Sequence, residues 1–380
     1  MARTDRSSEQ PRGQIVLALA GDVMTGRGID QILPYPGAPT LHEDWIRDAR
    51  RYVELAERHS GPIPRGVDPA YIWGEALPIL ERAAPDLRLV NLETAVTTSS
   101  EAWPGKAVHY RMHPANAPCL SAGGIDCCVL ANNHVLDWGY AGLTETLQSL
   151  ADAEIATTGA GPTLASAQEP ACFDLGDRGR VLVVAAGSPS SGVPEAWAAG
   201  PERGGVFLVD ETAPEAASRL QQVIDRVRRP GDIVVVSLHW GPNWGHSIPA
   251  AQRQLAHALI DDVGVDVVHG HSSHHVKGIE VYHDRPIFYG CGDLLTDYEG
   301  IGGHEDVRGD LGGLYVLTLE AGTGRFVELD LHPVHTKQFQ LRRAGAADAA
   351  WLADRLNRSG RALGTRVERG ADGVLSLAVD

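Results

Sequence analysis

The sequence predicts an α/β protein of mixed, largely parallel β-sheets flanked by helices. Three observations carry that expectation. Apolar runs of strand length alternate with segments of helical periodicity. Acids, amides and histidines recur where those runs stop, and no internal repeat or low-complexity linker interrupts the alternation. Strands that alternate with helices imply parallel neighbours, and in open α/β sheets ligands bind beyond the carboxyl ends of such strands.

Taken in order, Gln14–Ala20 is an apolar run ending in Gly21-Asp22, which reads as a buried strand presenting a carboxylate. In the loop-rich stretch that follows, Trp45, Ile46, Tyr52, Val53 and Leu55 are spaced as one face of a helix over Trp45–Arg58. We take it as part of an insertion, about 32–75, that borders a pocket. Leu77–Ala84 reads as a helix stopped by Pro85, and Leu87–Leu92 as a strand running out into Glu93. Cys127–Leu130 is a third strand, followed by Asn132, Asn133, His134 and Asp137 and then a helix from about Ala141 to Ala153.

Val181–Ala186 is a further strand, and Pro214–Arg229 a helix whose proline suits the first turn. Ile233–Leu238 stops at His239-Trp240-Gly241. After a helix over Gln252–Asp262, Val265–Val268 stops at His269-Gly270-His271, and Ile287–Tyr289 stops near Gly292-Asp293. Leu314–Leu319 and Phe326–Leu331 alternate about a glycine-containing turn, as an antiparallel pair does. The tail from Ala347 reads as a helix and a short strand. The organisation expected is a disordered segment over 1–13, a catalytic domain over 14–340, and a helix and strand of 341–380 packed on the core.

Composition bounds the function. Of 380 residues, 43% are hydrophobic and 22% charged, values of a chain that buries a core. The formal charge of −16 repels a nucleic-acid backbone or an anionic membrane over most of the surface. No apolar run approaches the ~18 residues a membrane span needs, and Met1–Gln14 lacks the apolar core of a signal peptide. We therefore expect a cytoplasmic protein with neither nucleic-acid nor membrane partners. The cysteines Cys119, Cys127, Cys128, Cys172 and Cys291 are odd in number without a CxxC pair, which argues against disulfides and thiolate zinc and for buried small side chains.

The chemistry sits at strand ends: Asp22, Glu93, Asn133-His134, His239, His271 and Asp293. Carboxylate, amide and imidazole donors without thiolates suit a divalent metal ion, with calcium or manganese expected first and magnesium, zinc or iron as alternatives; no organic cofactor is implied. Taken singly, Asp22 also reads as a turn former, Glu93 as a solvated strand end and His239 as a core histidine. The segment Gly270-His271-Ser272-Ser273-His274-His275 is denser, three imidazoles in one strand-end turn, and reads as a ligand or acid/base cluster. His109, His113, His246, His283, His304 and His335 stand apart and read as ordinary structural histidines. Trp45, Trp103 and Trp244 are candidates to receive an apolar group of a substrate.

The blocks GDVMTGRG (Gly21–Gly28), NLETAVT (Asn91–Thr97), ANNHVLDWGYAGL (Ala131–Leu143), SLHWG (Ser237–Gly241), GHSSH (Gly270–His274) and the strand over Pro286–Asp293 resemble the CapA or PgsA poly-γ-glutamate synthesis family. That family is similar in fold to calcineurin-like metallophosphoesterases, a layered sandwich. The resemblance implies Asp22, Glu93, Asn133, His239, His271 and His274 as metal ligands, and His134 with Asp137 as an acid/base pair. Met24 stands where the phosphoesterases place a second histidine, and Glu93 where they place a bridging aspartate, changes that favour a single hard ion over a two-metal transition-metal hydrolase. Without an N-terminal anchor the chain resembles the soluble branch found with ribosomal peptides, in particular the lasso-peptide epimerases.

That resemblance implies a peptide epimerase inverting a Cα, C-terminal in its precursor peptide. Inversion needs a base on each face and a cation to stabilise enolate-like charge. Candidate pairs are His134 with Asp137 or Asp22, and His271 or His274 with Asp293 or Asp297. The alternatives are phosphoester hydrolysis, with His134 protonating the leaving group, and a non-enzymatic capsule-assembly factor binding an anionic polymer.

Overall fold

The computed structural model describes residues 13–303 and 306–379. Apart from Gly13, the expected N-terminal segment lies outside the described residues. Two large mixed sheets face each other. In the first, the parallel strands Gln14–Val23, Leu87–Leu92, Cys127–Val129 and Ala156–Thr158 lie side by side, and Leu311–Glu320 and Phe326–Lys337 continue it antiparallel from the free edge of Gln14–Val23. In the second, Arg285–Phe288, Val267–His271, Ile233–His239 and Arg180–Gly187 run parallel, flanked by antiparallel Ile279–Tyr282 and Ala171–Asp174.

Alternation along one strand explains the layering. Val181, Val183 and Ala185 point into a shared core with Leu17, Leu19, Leu89 and Val129 of the facing sheet. Leu182, Val184 and Ala186 point the other way, against Leu220, Val223 and Ile224 of the Ala216–Asp225 helix and Leu255 and Leu259 of the Ala250–Asp261 helix. A strand covered on both faces must be apolar throughout, which is why it read as a continuous run. No helix among the described residues is long and apolar enough to cross a membrane.

Several expectations shift. Trp45 and Ile46 are not helical: Leu41 and Arg47 share a backbone hydrogen bond, Thr40 bridges Asp48, and the helix runs over Arg50–Ser60. The Pro214–Arg229 helix shortens to Ala216–Asp225. The strand over Val267–His271 contains its histidines instead of preceding them. The hairpin of Ile279–Tyr282 and Arg285–Phe288, turned by His283 and Asp284 at positive φ, was not anticipated in its first arm. The tail forms a hairpin, Thr365–Arg369 with Leu375–Val379, after the Ala346–Gly360 helix. Four cysteines are buried as expected, but Cys172 is exposed, on the edge strand Ala171–Asp174.

Candidate metal centre and cleft

The carboxyl ends of the parallel strands meet where the two sheets touch. Asp22 pairs in register with Asn91 on one side and Asp293 on the other, and His239 pairs with His271. A hydrogen-bond chain then fixes the imidazole tautomers. His269 Nε2 lies 3.0 Å from the carbonyl of Ala20, an acceptor, so Nε2 carries the proton and Nδ1 is bare. Ser237 Oγ therefore donates to His269 Nδ1 (3.0 Å) and accepts from His271 Nε2 (2.9 Å). His239 Nε2 donates to Asn133 Oδ1 at 3.0 Å. Both remaining nitrogens, His239 Nδ1 and His271 Nδ1, are thus bare lone pairs facing each other at 2.9 Å, with Asp22 Oδ1 3.7 Å from the latter. Two such lone pairs repel unless a cation or proton lies between them.

The acidic side makes the same demand. Asp22, Glu93 and Asp293 are buried together, and Asn91 Nδ2 donates to Asp22 Oδ1 (2.7 Å) and Glu93 Oε2 (3.1 Å). Asp22 Oδ2 and Asp293 Oδ2 are buried with no hydrogen-bond partner among the described residues. Burial, and then the charge of Asp293, push Asp22 up to about 7; burial and Asp22 push Glu93 upward likewise. Asp22 with His239 and His271, and Asp22 with His274 and Asp293, each form a three-donor group of metal-binding dimensions. The donors present fit a divalent metal ion.

Beside this centre stand two histidine–aspartate pairs. His134 Nδ1 donates to Asp137 Oδ2 at 2.6 Å, and the same carboxylate accepts from Tyr110 N–H and from Lys106 Nζ. Burial would raise Asp137, but His134 and Lys106 outweigh it and hold it low. His134 Nε2 is left bare, 3.7 Å from Glu93 Oε1, and burial lowers the ring to about 4. His274 Nδ1 lies 2.8 Å from Asp293 Oδ1, while its Nε2 meets the Asn243 amide at 3.0 Å. Burial opposes its charge, yet Asp293 raises its pKa on balance.

Both pairs open on a cleft of about 1260 Å³ whose lining includes Arg27, Lys106, Asn133, His134, His274 and Asp293. Asp22, His239 and His271, two of them named above as candidate bases, lie buried beneath that lining and within a three-donor group of metal-binding dimensions. Asp297, the other candidate partner, is taken by the Arg27 guanidinium, which also bonds Glu43. Asp22 does not pair with His134. Asn132 is structural, tying Asn91 and Leu92. Trp45 lines the cleft from an exposed bend, and Trp244 lines it with its ring 5.2 Å from that of His274. Trp103 does not line it: its ring packs edge-on against Trp197 and Tyr140. Lys106, Arg27, Asn91 and Tyr110 were missed. Arg27 stood inside the quoted GDVMTGRG block, and Asn91 inside NLETAVT; nothing in the sequence marked Lys106.

A family described as bacterial capsule synthesis protein PGA_cap matches residues 16–298, which hold every residue of the centre and both pairs. The chain belongs to that family. A Mycobacterium tuberculosis protein named "Probable polyglutamine synthesis accessory protein" is 46% identical over 96% of this chain and 96% of its own length. The "PGA biosynthesis protein CapA" of Bacillus subtilis is 28% identical over 83% of this chain and 71% of its own. A Plasmodium structure, GAP50, aligns over 88% of this chain and 89% of its own at 10% identity, with a TM-score of 0.32, too slight to bear on the site. The capsule-family chain thus carries a CapA-type, calcineurin-like sandwich with its centre at the junction of the sheets.

Proposed function

We propose that this capsule-family chain is a divalent-metal-dependent acid/base enzyme acting on an amide-linked, glutamyl-type peptide or polymer. One observation carries the reading: the bare Nδ1 atoms of His239 and His271 and the unpartnered oxygens of Asp22 and Asp293 converge beneath a cleft in which His134 presents a free Nε2. The substrate class is supported by the names of the mycobacterial and Bacillus relatives. Asp22, Glu93, Asn133, His239 and His271 would hold the ion, with Asp293 and His274 completing the second donor group around Asp22. Two imidazoles among the donors favour manganese, iron or zinc over calcium. When bound, the metal supplies a Lewis acid for a carbonyl or acyl group.

The protein's own part is proton transfer. Asp137 fixes the His134 tautomer, so Nε2 takes a proton from the attacking group and returns it to the leaving group. Lys106 and Tyr110 hold Asp137 in place. The test is metal-reconstituted protein with a glutamyl oligomer, read by mass spectrometry: manganese-dependent change of the oligomer is expected, and turnover of aryl phosphates alone would reject the reading.

A second reading, Cα inversion in a peptide such as a ribosomal precursor, is favoured by the second pair, His274–Asp293, since inversion needs a base on each face. In that reaction substrate would displace Asn243 from His274 Nε2. Incubation in D₂O separates the two: deuterium at one Cα marks inversion, and cleavage or transfer without it marks the first reading.

A further inference from the structure

Away from the cleft lining lies a second cluster of nitrogen-bearing side chains. The loop after the Ile233–His239 strand supplies His246, the turn after Val267–His271 supplies His275 and Lys277, and the Ala346–Gly360 helix supplies Arg355. The rings of His246 and His275 meet edge to face, centroids 4.6 Å apart. His246 Nδ1, His275 Nε2, Lys277 Nζ and Arg355 Nε are all buried with no hydrogen-bond partner among the described residues. Lys277 is 2% exposed. A lysine is almost never so buried unless paired, and buried polar groups without partners are rare in folded proteins.

The charged groups acting on His246 are three cations and one acid. Lys277, Arg355 and Arg358 all act on His246, and Asp306 is the acid that opposes them. Burial brings Lys277 down to about 8, which leaves it an ammonium at neutral pH. The ring of Trp244 packs against both His274 and His275, so the cluster backs onto the cleft wall, while half-buried His246 and Arg355 connect it to the surface.

We infer that His246, Lys277 and Arg355, with His275 beside them, form an oxyanion-binding subsite that takes a carboxylate or phosphate group. An oxyanion offers only acceptors, and it satisfies the Lys277 ammonium, the Arg355 guanidinium and a His246 N–H together, whereas His275, whose Nδ1 donates to the Val276 carbonyl, lines the space without donating to it. A cation is repelled here, and an apolar group would leave the donors unpaired. The inference does not depend on the reaction at the metal centre.

The test measures binding of inorganic phosphate and of glutarate to the full chain, by calorimetry and thermal midpoint, in the presence of chelator. Wild type is expected to bind one probe saturably and to melt higher with it. Lys277→Met and Arg355→Met are each expected to weaken that binding at least tenfold (roughly 1.4 kcal/mol), and Lys277→Met to melt higher than wild type without anion. Binding of phosphate alone identifies a phosphate-type ligand, and of glutarate alone a carboxylate-type one. Where Lys277→Met fails to fold, the more exposed Arg355→Met carries the test. No saturable binding by wild type, equal binding by wild type and both variants, or binding abolished by the chelator overturns the inference.

Discussion

At the scale of single residues, the strongest expectation concerns His134. Its Nε2 is the one imidazole nitrogen of the two pairs left without a hydrogen bond, while Nδ1 is committed to Asp137. Replacing it by alanine removes the proton carrier but none of the proposed ligands. Activity is expected to fall roughly 10²- to 10⁴-fold with metal content unchanged by elemental analysis; an active His134→Ala protein would assign the proton transfer elsewhere. Asn91 acts differently. Its amide donates to both Asp22 and Glu93, so Asn91→Ala frees two ligands to turn away, and a loss of about 10- to 100-fold in metal affinity is expected by titration. The ligands were legible because acids and imidazoles at strand ends stand out in a sequence. Lys106 was not, because a lysine in a loop carries no pattern; only the folded loop brings its ammonium to Asn133 O and Asp137. The contact of His246 with His275 was likewise not legible, since the two rings are distant in sequence.

At the scale of elements, apolar strands were legible almost to the residue, as Leu87–Leu92 shows, because a strand buried on both faces admits no polar interruption. Edge strands such as Ala171–Asp174 were not, since one face meets solvent and the pattern breaks. The Trp45 segment failed because helical spacing says nothing of a backbone pairing with Pro39–Leu41. One junction decides whether the elements place their ligands. A Cβ on Gly21 would stand 1.9 Å from the carbonyl oxygen of Gly292, the same oxygen that accepts from Asp22 N–H at 3.2 Å. Gly21→Ala must push apart the strands bearing Asp22 and Asp293. A loss of about 1–3 kcal/mol is expected in urea denaturation, together with weaker metal binding. Gly200→Ala, whose Cβ meets only Arg203 Cβ at 3.6 Å, serves as control and should change stability by less than ~0.5 kcal/mol.

At the scale of the whole molecule, the two sheets converge on a centre where Asp22, Glu93 and Asp293 are buried together, in a chain already at −16. Without a cation these acids work against the fold, and with one they hold the sheets together. Binding at a hundredfold excess over Kd adds ~2.7 kcal/mol to stability. The sign of the Asp22 contribution follows from its pKa. In the folded, metal-free protein it is raised to about 7 from an ordinary 3.8, so stability is fully present below the ordinary value and is lost as pH rises through about 7. Chelated wild-type protein should therefore melt progressively lower between pH 4 and pH 7.5, and metal should restore it. Asp22→Asn keeps an acceptor for Asn91 but removes the charge. In chelator it should melt higher than wild type at pH 7.5, and with manganese lower, so the two proteins exchange rank when metal is added. If the rank is the same with and without metal, measured by calorimetry at both conditions, then Asp22 is not a ligand and its burial has another cause.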